Sequence, residues 1–252
     1  LASVPGALTG TFSGRVELRA NAAGTALDGF CDLLLQICMS AVATLVYSPD
    51  SSIDSQQTAT IHYWQDGKRK GLAGAHGTCK ITAQAGGIVY IEFELKGKWI
   101  APEDEATPEP TFNTALPFAA RSCTLTVQDA FEAVVGTFTF DLGVTAAARL
   151  DATDATGVLA FCGTGRAPTL TIDPEATTVA AHDWDGIRLL ATEAAIALAM
   201  TDGTVTLTLA AAQAQYRSVA DGDREGILTH EVVIQLNETE TGDDDWTLTA
   251  SV

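Results

Sequence analysis

Apolar and polar residues alternate through most of the chain, and a period of two residues is typical of strands with one buried face. Glycine and Asp-Gly turn signals separate the alternating segments. The pattern therefore predicts a mostly β chain, built as an antiparallel β-sandwich or barrel. The clearest predicted strands cover residues 11–19, 58–64, 74–82, 88–99, 122–128, 136–142, 157–162, 168–173, 203–209, 226–236 and 246–252.

One segment near the start of the chain has the period of an amphipathic helix instead. Phe30, Leu33 and Ile37 follow one another at spacings of three and four residues. Asp28 precedes them at the N-cap position, where a carboxylate accepts hydrogen bonds from the first free backbone N–H groups. We therefore predict an early helix over residues 28–39 that covers one face of a sheet.

Two polar segments without periodicity predict long surface loops. Residues 47–57 are rich in Ser, Asp and Gln, and residues 101–110 are acidic and contain three prolines. Segments of this kind order on assembly in many complexes, so both are candidates for contacts between subunits. The Ala-rich segment 189–200 fits either a helix or a strand.

The two halves of the chain contain similar segments. The similarity favours two tandem β modules of residues 1–125 and 126–252, a size ordinary for domains, although one continuous domain fits the same pattern. The paired segments are 74–82 with 163–171, 121–126 with 204–209, and 136–142 with 226–236.

The charge is strongly negative and unevenly distributed. The formal net charge is −18, of which residues 1–126 carry −3 and residues 127–252 carry −15. This sign excludes a protein that holds nucleic acid by neutralising phosphates, and it excludes a polybasic membrane-surface binder. No apolar run approaches the roughly 20 residues that span a bilayer. The acidic second half is either a solvated face that favours solubility or a functional negative field.

No motif predicts catalysis, a cofactor or a metal site. Residues 221–226 match the first half of a calcium loop, but the twelfth position, which needs a bidentate Glu, is Val232. Residues 182–185 are polar and aromatic and predict a loop. Glu92 and Glu94 share a strand face with two lysines, which favours a solvated charge ladder over a catalytic carboxylate pair. The cysteines are odd in number and irregularly spaced, which favours small buried side chains over a disulfide framework: Cys31, Cys38, Cys79, Cys123 and Cys162.

Several segments, taken in order along most of the chain, resemble the tail tube (major tail) proteins of long-tailed bacteriophages. The departures are Cys79 and Lys80, where a plainer strand is typical, and a C-terminus that ends on a strand without a decoration domain. The segments that carry the resemblance are the helix 29–38, the loop 47–55, the strand 60–63, Asp66-Gly67-Lys68, 72–78, 85–87, 91–97, 165–169 and 222–228.

The resemblance implies a structural protein of the virion, assembled in the host cytoplasm, without enzymatic activity, cofactor or membrane contact. Its partners would be copies of itself and other tail proteins, with rings stacked into a tube through which genomic DNA passes unbound. The apparent duplication favours a trimeric ring with pseudo-sixfold symmetry over a hexamer.

This interpretation assigns roles to two sets of residues. A bore lined with carboxylates repels phosphates, so the acidic strand ends and loops of the second half are candidate lumen residues. These are Asp221, Asp223, Glu225, Glu238 and Glu240. The candidate inter-ring contacts lie in the two predicted loops: Tyr47, Pro49, Ser52, Ile53, Pro102, Glu103, Asp104 and Pro108.

The alternative is a β-rich binding module, such as a virion adhesin, a decoration protein or a carbohydrate- or receptor-binding domain. Its stacking platforms would be tryptophans, although their position on predicted strands favours core packing for most of them. The candidates are Trp64, Trp99, Trp184 and Trp246.

Overall fold

The computed structural model describes residues 6–38, 40–43 and 45–251. It is mostly β with an early helix, which confirms the predicted fold class. The elements of the first half are β1 (Thr9–Glu17), α1 (Gly29–Gln36), β2 (Ser40–Ala43), β3 (Val46–Pro49), β4 (Ala59–Gln65), β5 (Lys68–Gln84), β6 (Tyr90–Asp104) and β7 (Thr124–Val127). Those of the second half are β8 (Phe131–Glu132), β9 (Val135–Asp141), β10 (Thr145–Leu150), β11 (Val158–Gly165), β12 (Thr169–Pro174), α2 (Trp184–Leu189), β13 (Glu193–Thr201), β14 (Thr206–Arg224), β15 (Ile227–Asn237) and β16 (Thr247–Ser251).

One sheet joins strands from both halves of the described chain. Its main path is β1-β6-β5-β9-β12-β15-β14-β13-β7-β8, and β4, β16, β3 and β2 attach beside it. β10 and β11 form a separate hairpin. The boundary at residues 125/126 falls inside β7, which pairs with β13 of the second half. The sheet is therefore continuous across the sequence midpoint.

The topology contains a repeat. In the first half, the strand β1 and the helix α1 are followed, after the inserted β2–β3 hairpin, by three strands that give the order β1-β6-β5-β4. In the second half, β12, α2, β13, β14 and β15 follow in the same sequence and give β12-β15-β14-β13. The segments that resemble each other in sequence do not occupy equivalent positions: residues 74–82 lie within β5, whereas 163–171 span the end of β11 and the start of β12.

The predicted early helix is confirmed, with an earlier end. The Asp28 carboxylate accepts a hydrogen bond from the Phe30 backbone N–H at 3.2 Å, and the helix ends at Gln36. Residue 39 lies outside the described residues. The ambiguous segment 189–200 is mostly strand, as β13. The prediction of a loop over residues 182–185 is wrong for residues 184 and 185, which begin the short helix α2. Asp183 caps this helix by accepting a hydrogen bond from the Gly186 N–H at 2.8 Å.

One hydrophobic core cluster of the described residues lies beneath both repeats. Trp246 packs edge-on against Phe140, with ring centroids 5.4 Å apart. All five cysteines carry free thiols, and Cys31 and Cys38 are buried as predicted. Among the described residues, neither helix is long or apolar enough to cross a membrane.

A glycine in the long strand β5 permits a close approach to its neighbouring strand β6. A Cβ atom at Gly77 would lie 1.9 Å from the carbonyl oxygen of Glu94 on β6. No side chain fits there without moving the backbone, so this position requires glycine. The close approach lies next to His76, which is fully buried and whose two ring nitrogens have no hydrogen-bond partner among the described residues.

His76 should make stability depend on pH. Burial lowers its pKa from 6.5 to about 4, so the folded protein holds the ring neutral while the unfolded chain takes up a proton near pH 6.5. Its contribution is therefore complete above pH 6.5 and is lost as the pH falls toward 4. The loss should approach about 3 kcal/mol, at ~1.4 kcal/mol per pKa unit.

Urea unfolding of the wild type and His76→Leu between pH 7.5 and 4 measures this contribution. The difference in free energy of unfolding between the two proteins should shift in favour of the variant as the solution becomes acidic. His62→Leu, at an exposed ring, is the matched control for replacing a histidine by leucine. A pH-independent difference for His76→Leu would contradict the prediction.

Candidate functional site

Seven strands of the main sheet present one continuous polar face. Their side chains alternate, so each residue on this face is followed by one that points into the core. The core row runs through Ile91, Ile81, Phe140, Leu170 and Ile234, all nearly inaccessible to solvent. The row directly beside it on the polar face is Arg15, Glu92, Lys80, Asp141, Thr169, Gln235 and Gln215, one residue from each of β1, β6, β5, β9, β12, β15 and β14.

The first-half end of this polar face carries alternating charges. Lys80 lies between Glu92 and Asp141 in the register, and its Nζ is 2.8 Å from the Asp141 Oδ2. The guanidinium of Arg15 lies 4.1 Å from the centre of the Tyr90 ring. Together these contacts form a charge ladder in which each cation has an anionic or aromatic neighbour.

The ladder continues along β6, as its sequence pattern predicted. The Lys96 Nζ lies 3.4 Å from a carboxylate oxygen of Glu94. Lys98 instead binds Asp154 of the β10–β11 hairpin at 2.5 Å. That contact holds the pKa of the Asp154 carboxyl far below its usual range, with a further contribution from the Thr156 hydroxyl and backbone N–H. The paired carboxylates Glu92 and Glu94 therefore belong to a solvated ion-pair ladder.

β1, at one end of the polar face, is an open edge, whereas β14 at the other end becomes an open edge only beyond Gln215, which still pairs with Glu193 of β13. Within the described chain, β1 pairs only with β6. β14 pairs with β13 and β16 along its first part, but from Ser218 to Arg224 its only strand partner in the described part of the chain is β15. Each open edge presents unpaired backbone N–H and C=O groups, which are a template for another strand.

The equivalent edges inside the chain are joined by β9. Its residues Thr137–Asp141 pair with the second part of β5 on one side and with β12 on the other. In the repeated topology β14 corresponds to β5, and β1 corresponds to β12. The two open edges are therefore the counterparts of the two edges that meet in the middle of the chain.

The structure corrects the first candidate contact loop. Tyr47 and Pro49 lie in strand β3, where both are buried, and Tyr47 pairs with Leu248 of β16. A bond of 2.6 Å runs from the Tyr47 hydroxyl to the Asp32 carboxylate. Ser52 and Ile53 lie in the exposed turn that follows, as predicted.

This turn is fixed to the second half of the chain. The Gln56 side chain donates to the carbonyl of Gly163 at 3.1 Å and accepts from its N–H at 2.8 Å. Ser51 donates to Asp243 at 2.5 Å. Only the tip of the predicted loop is therefore available to a partner.

The second candidate loop begins later than predicted. Pro102, Glu103 and Asp104 continue strand β6, and Glu103 and Asp104 pair with Arg69 and Lys68 at the start of β5. Arg69 binds Glu103 at 2.5 Å across this ladder. Pro108 lies in the exposed irregular segment that follows β6, as predicted.

The candidate lumen residues fall into two separate groups. Asp221 and Asp223 lie at the end of β14, opposite His230 and Leu228, and Glu225 occupies the turn to β15. Alternation places Asp221 and Asp223 on the side of buried Val232, away from the polar face. The other group, Glu238 and Glu240, lies in the loop between β15 and β16.

Glu238 contributes to an ionic cluster that the sequence pattern did not reveal. Its centre is Arg166, between β11 and β12, whose side chain is 8% exposed. The guanidinium contacts Asp245 at 2.7 Å, Asp243 at 2.9 Å and Glu238 at 3.8 Å, and it donates to Ser51 at 2.5 Å. We call these five residues the Arg166 cluster. It ties the 50–57 turn to the second half.

The four tryptophans differ in exposure. Trp184 and Trp246 are core residues and Trp64 is half-buried, so core packing, predicted for most of the four, holds for two of them. Trp99 on β6 is 42% exposed. Among the described residues, no group of three or more His, Cys, Asp or Glu side chains is placed to hold a metal ion.

Sequence comparison gives no relative for this arrangement: no protein-family model matches the chain, and no curated protein matches it significantly.

Proposed function

We propose that this chain is a structural subunit that assembles with copies of itself into closed rings, stacked as the tail tube of a bacteriophage. The observation that carries the proposal is the pair of open edges at opposite ends of the polar face. Edges of this length normally aggregate unless they are protected, and closure into a ring removes them. A ring built head to tail uses one edge of each kind at every junction.

Strand direction constrains the junction between copies. Six antiparallel pairings separate β1 from β14, so these two strands run in the same direction. Direct joining of β14 to β1 of the next copy is therefore parallel, and an antiparallel junction needs one intervening strand, the role of β9 within the chain. The edges lie about 29 Å apart at ~4.8 Å per strand, so each must find its partner on another copy.

The repeated topology supports a trimer over a hexamer. Each chain supplies two equivalent strand–helix–strand units, so three chains provide six units around the ring. The predicted pseudo-sixfold symmetry then arises from two related units in each chain. Symmetry measured on assembled particles separates the two stoichiometries.

The polar face is the surface that we place toward the bore. The helices and core packing lie on its opposite side, and a sheet that closes into a ring accommodates this bulk on the outside. DNA would then pass a surface of Thr, Gln and paired charges. Asp221, Asp223 and Glu225 lie at the end of the β14–β15 hairpin, where they would form an acidic rim. Other tail proteins and neighbouring rings would contact the exposed tips near Ile53 and Pro108.

Concentrated purified protein tests the proposal by negative-stain electron microscopy and light scattering. The expected result is rings with a central hole, or tubes built from them, in equilibrium with monomer. A monomer that persists at every protein and salt concentration tried would contradict the proposal. A six-unit projection at the mass of three chains would support the trimer.

A second function, that of a glycan- or receptor-binding module of the virion, is favoured by one observation. Trp99 presents an exposed indole on a strand, which is a stacking platform for a sugar ring. Under this function the isolated monomer should bind on a glycan array and lose that binding in Trp99→Ala. The control is Tyr63→Ala, which replaces another exposed aromatic residue. Phe140→Ala cannot serve, because that ring is buried.

A further inference from the structure

We infer that the charge ladder on the polar face is a masked cationic patch, which lets duplex DNA lie against the face without being held. The inference rests on the proposed function, which supplies the passing DNA. It concerns the local arrangement of charge and is separate from the net charge of −18.

The cations are close enough together to form a phosphate-binding patch on their own. Arg15 and Lys80 occupy one cross-strand row, separated by the single strand β6, and Lys96 projects from β6 on the same face. Lys80 and Lys96 are each more than two-fifths exposed. A patch of three such cations gains affinity for DNA by releasing condensed counterions from the phosphates.

The neighbouring carboxylates remove that gain. Asp141 lies 2.8 Å from Lys80, Glu94 lies 3.4 Å from Lys96, and Glu92 stands opposite both Arg15 and Lys80 in the register. A phosphate can bind a cation here only by displacing its carboxylate or by approaching a second negative charge. The local charge is close to neutral, so the face neither holds nor strongly repels a polyanion.

Neutralising the ladder carboxylates tests the inference, because it leaves the three cations in place. The unmasked variant is Glu92→Gln, Glu94→Gln and Asp141→Asn in one chain. The amide oxygen of Asn can still accept the Gly143 N–H that Asp141 now binds at 2.9 Å. The matched control is Asp221→Asn, Asp223→Asn and Glu225→Gln, which changes the net charge by the same amount away from the polar face.

Fluorescence anisotropy with a short labelled DNA duplex, between about 50 and 200 mM salt, measures binding to each protein. Wild type and the control should not bind. The unmasked variant should bind with a log–log salt slope of about −2 to −3, at ~0.9 per phosphate contacted. Adding Arg15→Gln and Lys80→Gln to it should abolish binding.

Two results would overturn the inference. Equal binding by the unmasked variant and the control would mean that net charge alone governs contact with DNA. No binding by a folded unmasked variant, with thermal unfolding as the check, would mean that the cations are not a latent phosphate site. If Asp141→Asn prevents folding, the Glu92→Gln, Glu94→Gln pair replaces the triple variant, with Asp221→Asn, Asp223→Asn as its control.

Microscopy of the same samples separates this inference from the proposed function. If the wild type forms rings and the unmasked variant does not bind DNA, the masked-patch inference is overturned and the ring proposal stands. A wild type that never assembles, together with an unmasked variant that binds, would overturn the ring proposal and leave the masked patch in place.

Discussion

Proline in the open edge of β14 is expected to abolish ring formation while the monomer stays folded. Val219 and Ala220 are neighbours in β14, so one directs its N–H into β15 and the other directs it toward the open edge. At the edge-facing position, proline removes a donor that only a partner strand uses, and its ring obstructs the approaching strand. We expect the concentration for half-assembly to rise about 100-fold, from ~3 kcal/mol lost at each junction.

Val219→Pro and Ala220→Pro together identify that position. One of the two should unfold at lower urea because it breaks the β14–β15 ladder. The other should keep the wild-type stability and fail to assemble. Ala220→Val, which retains the N–H and favours a strand, is the control and should assemble normally. Normal assembly by both proline variants would show that this edge takes no part in the ring.

Mixing variants blocked at opposite edges gives a sharper outcome. The adjacent residues Ser13 and Gly14 provide the same proline pair on β1. A chain blocked at β1 retains its β14 edge, and a chain blocked at β14 retains its β1 edge. Because a head-to-tail junction needs one edge of each kind, an equimolar mixture should form a 1:1 dimer and no ring. Analytical ultracentrifugation measures this, and an unmixed variant that dimerises as readily would contradict head-to-tail closure.

Local pattern predicted the elements whose signals are themselves local. The alternation in β5 and β6 and the capping carboxylate of Asp28 required no knowledge of distant residues, and the strands and helix follow from them. The prediction for β3 failed for the opposite reason. Its segment contains Ser and Pro, and it is a strand because its four residues pair with β2 and because Val46 and Tyr47 also pair with β16, about two hundred residues later. Tertiary pairing of this kind overrides local propensity.

The candidate surfaces show the same limit. The charge ladder was visible as two glutamates followed by two lysines at every second position of β6, but its partners Arg15 and Asp141 come from strands that only the sheet order brings beside it. An open edge has no signal in its own sequence, because it is defined by the absence of a neighbouring strand. Arg166 resembles any loop arginine until the 50–57 turn and the 238–245 loop fold around it.

Arg166→Leu is expected to destabilise the protein by about 3–5 kcal/mol, because it leaves a buried carboxylate without its cation. The partner carboxylate, Asp245, is 6% exposed, so water cannot replace the guanidinium. This loss is a large part of the roughly 5–15 kcal/mol typical of folded proteins. Urea unfolding measures it, and Arg149→Leu, at an exposed arginine, should change the free energy of unfolding by less than about 0.5 kcal/mol.

A double-substitution cycle separates the ion pair from simple loss of packing. If the unpaired Asp245 causes the loss, Arg166→Leu with Asp245→Leu should be more stable than Arg166→Leu alone, since neither charge then remains buried. If the losses in free energy of unfolding from the two substitutions simply add, the Arg166–Asp245 ion pair is not what holds the turn. Stability also bears on assembly, because the Arg166 cluster fixes the 50–57 turn against the second half. The double variant should therefore regain ring formation together with stability, whereas Arg166→Leu should be deficient in both.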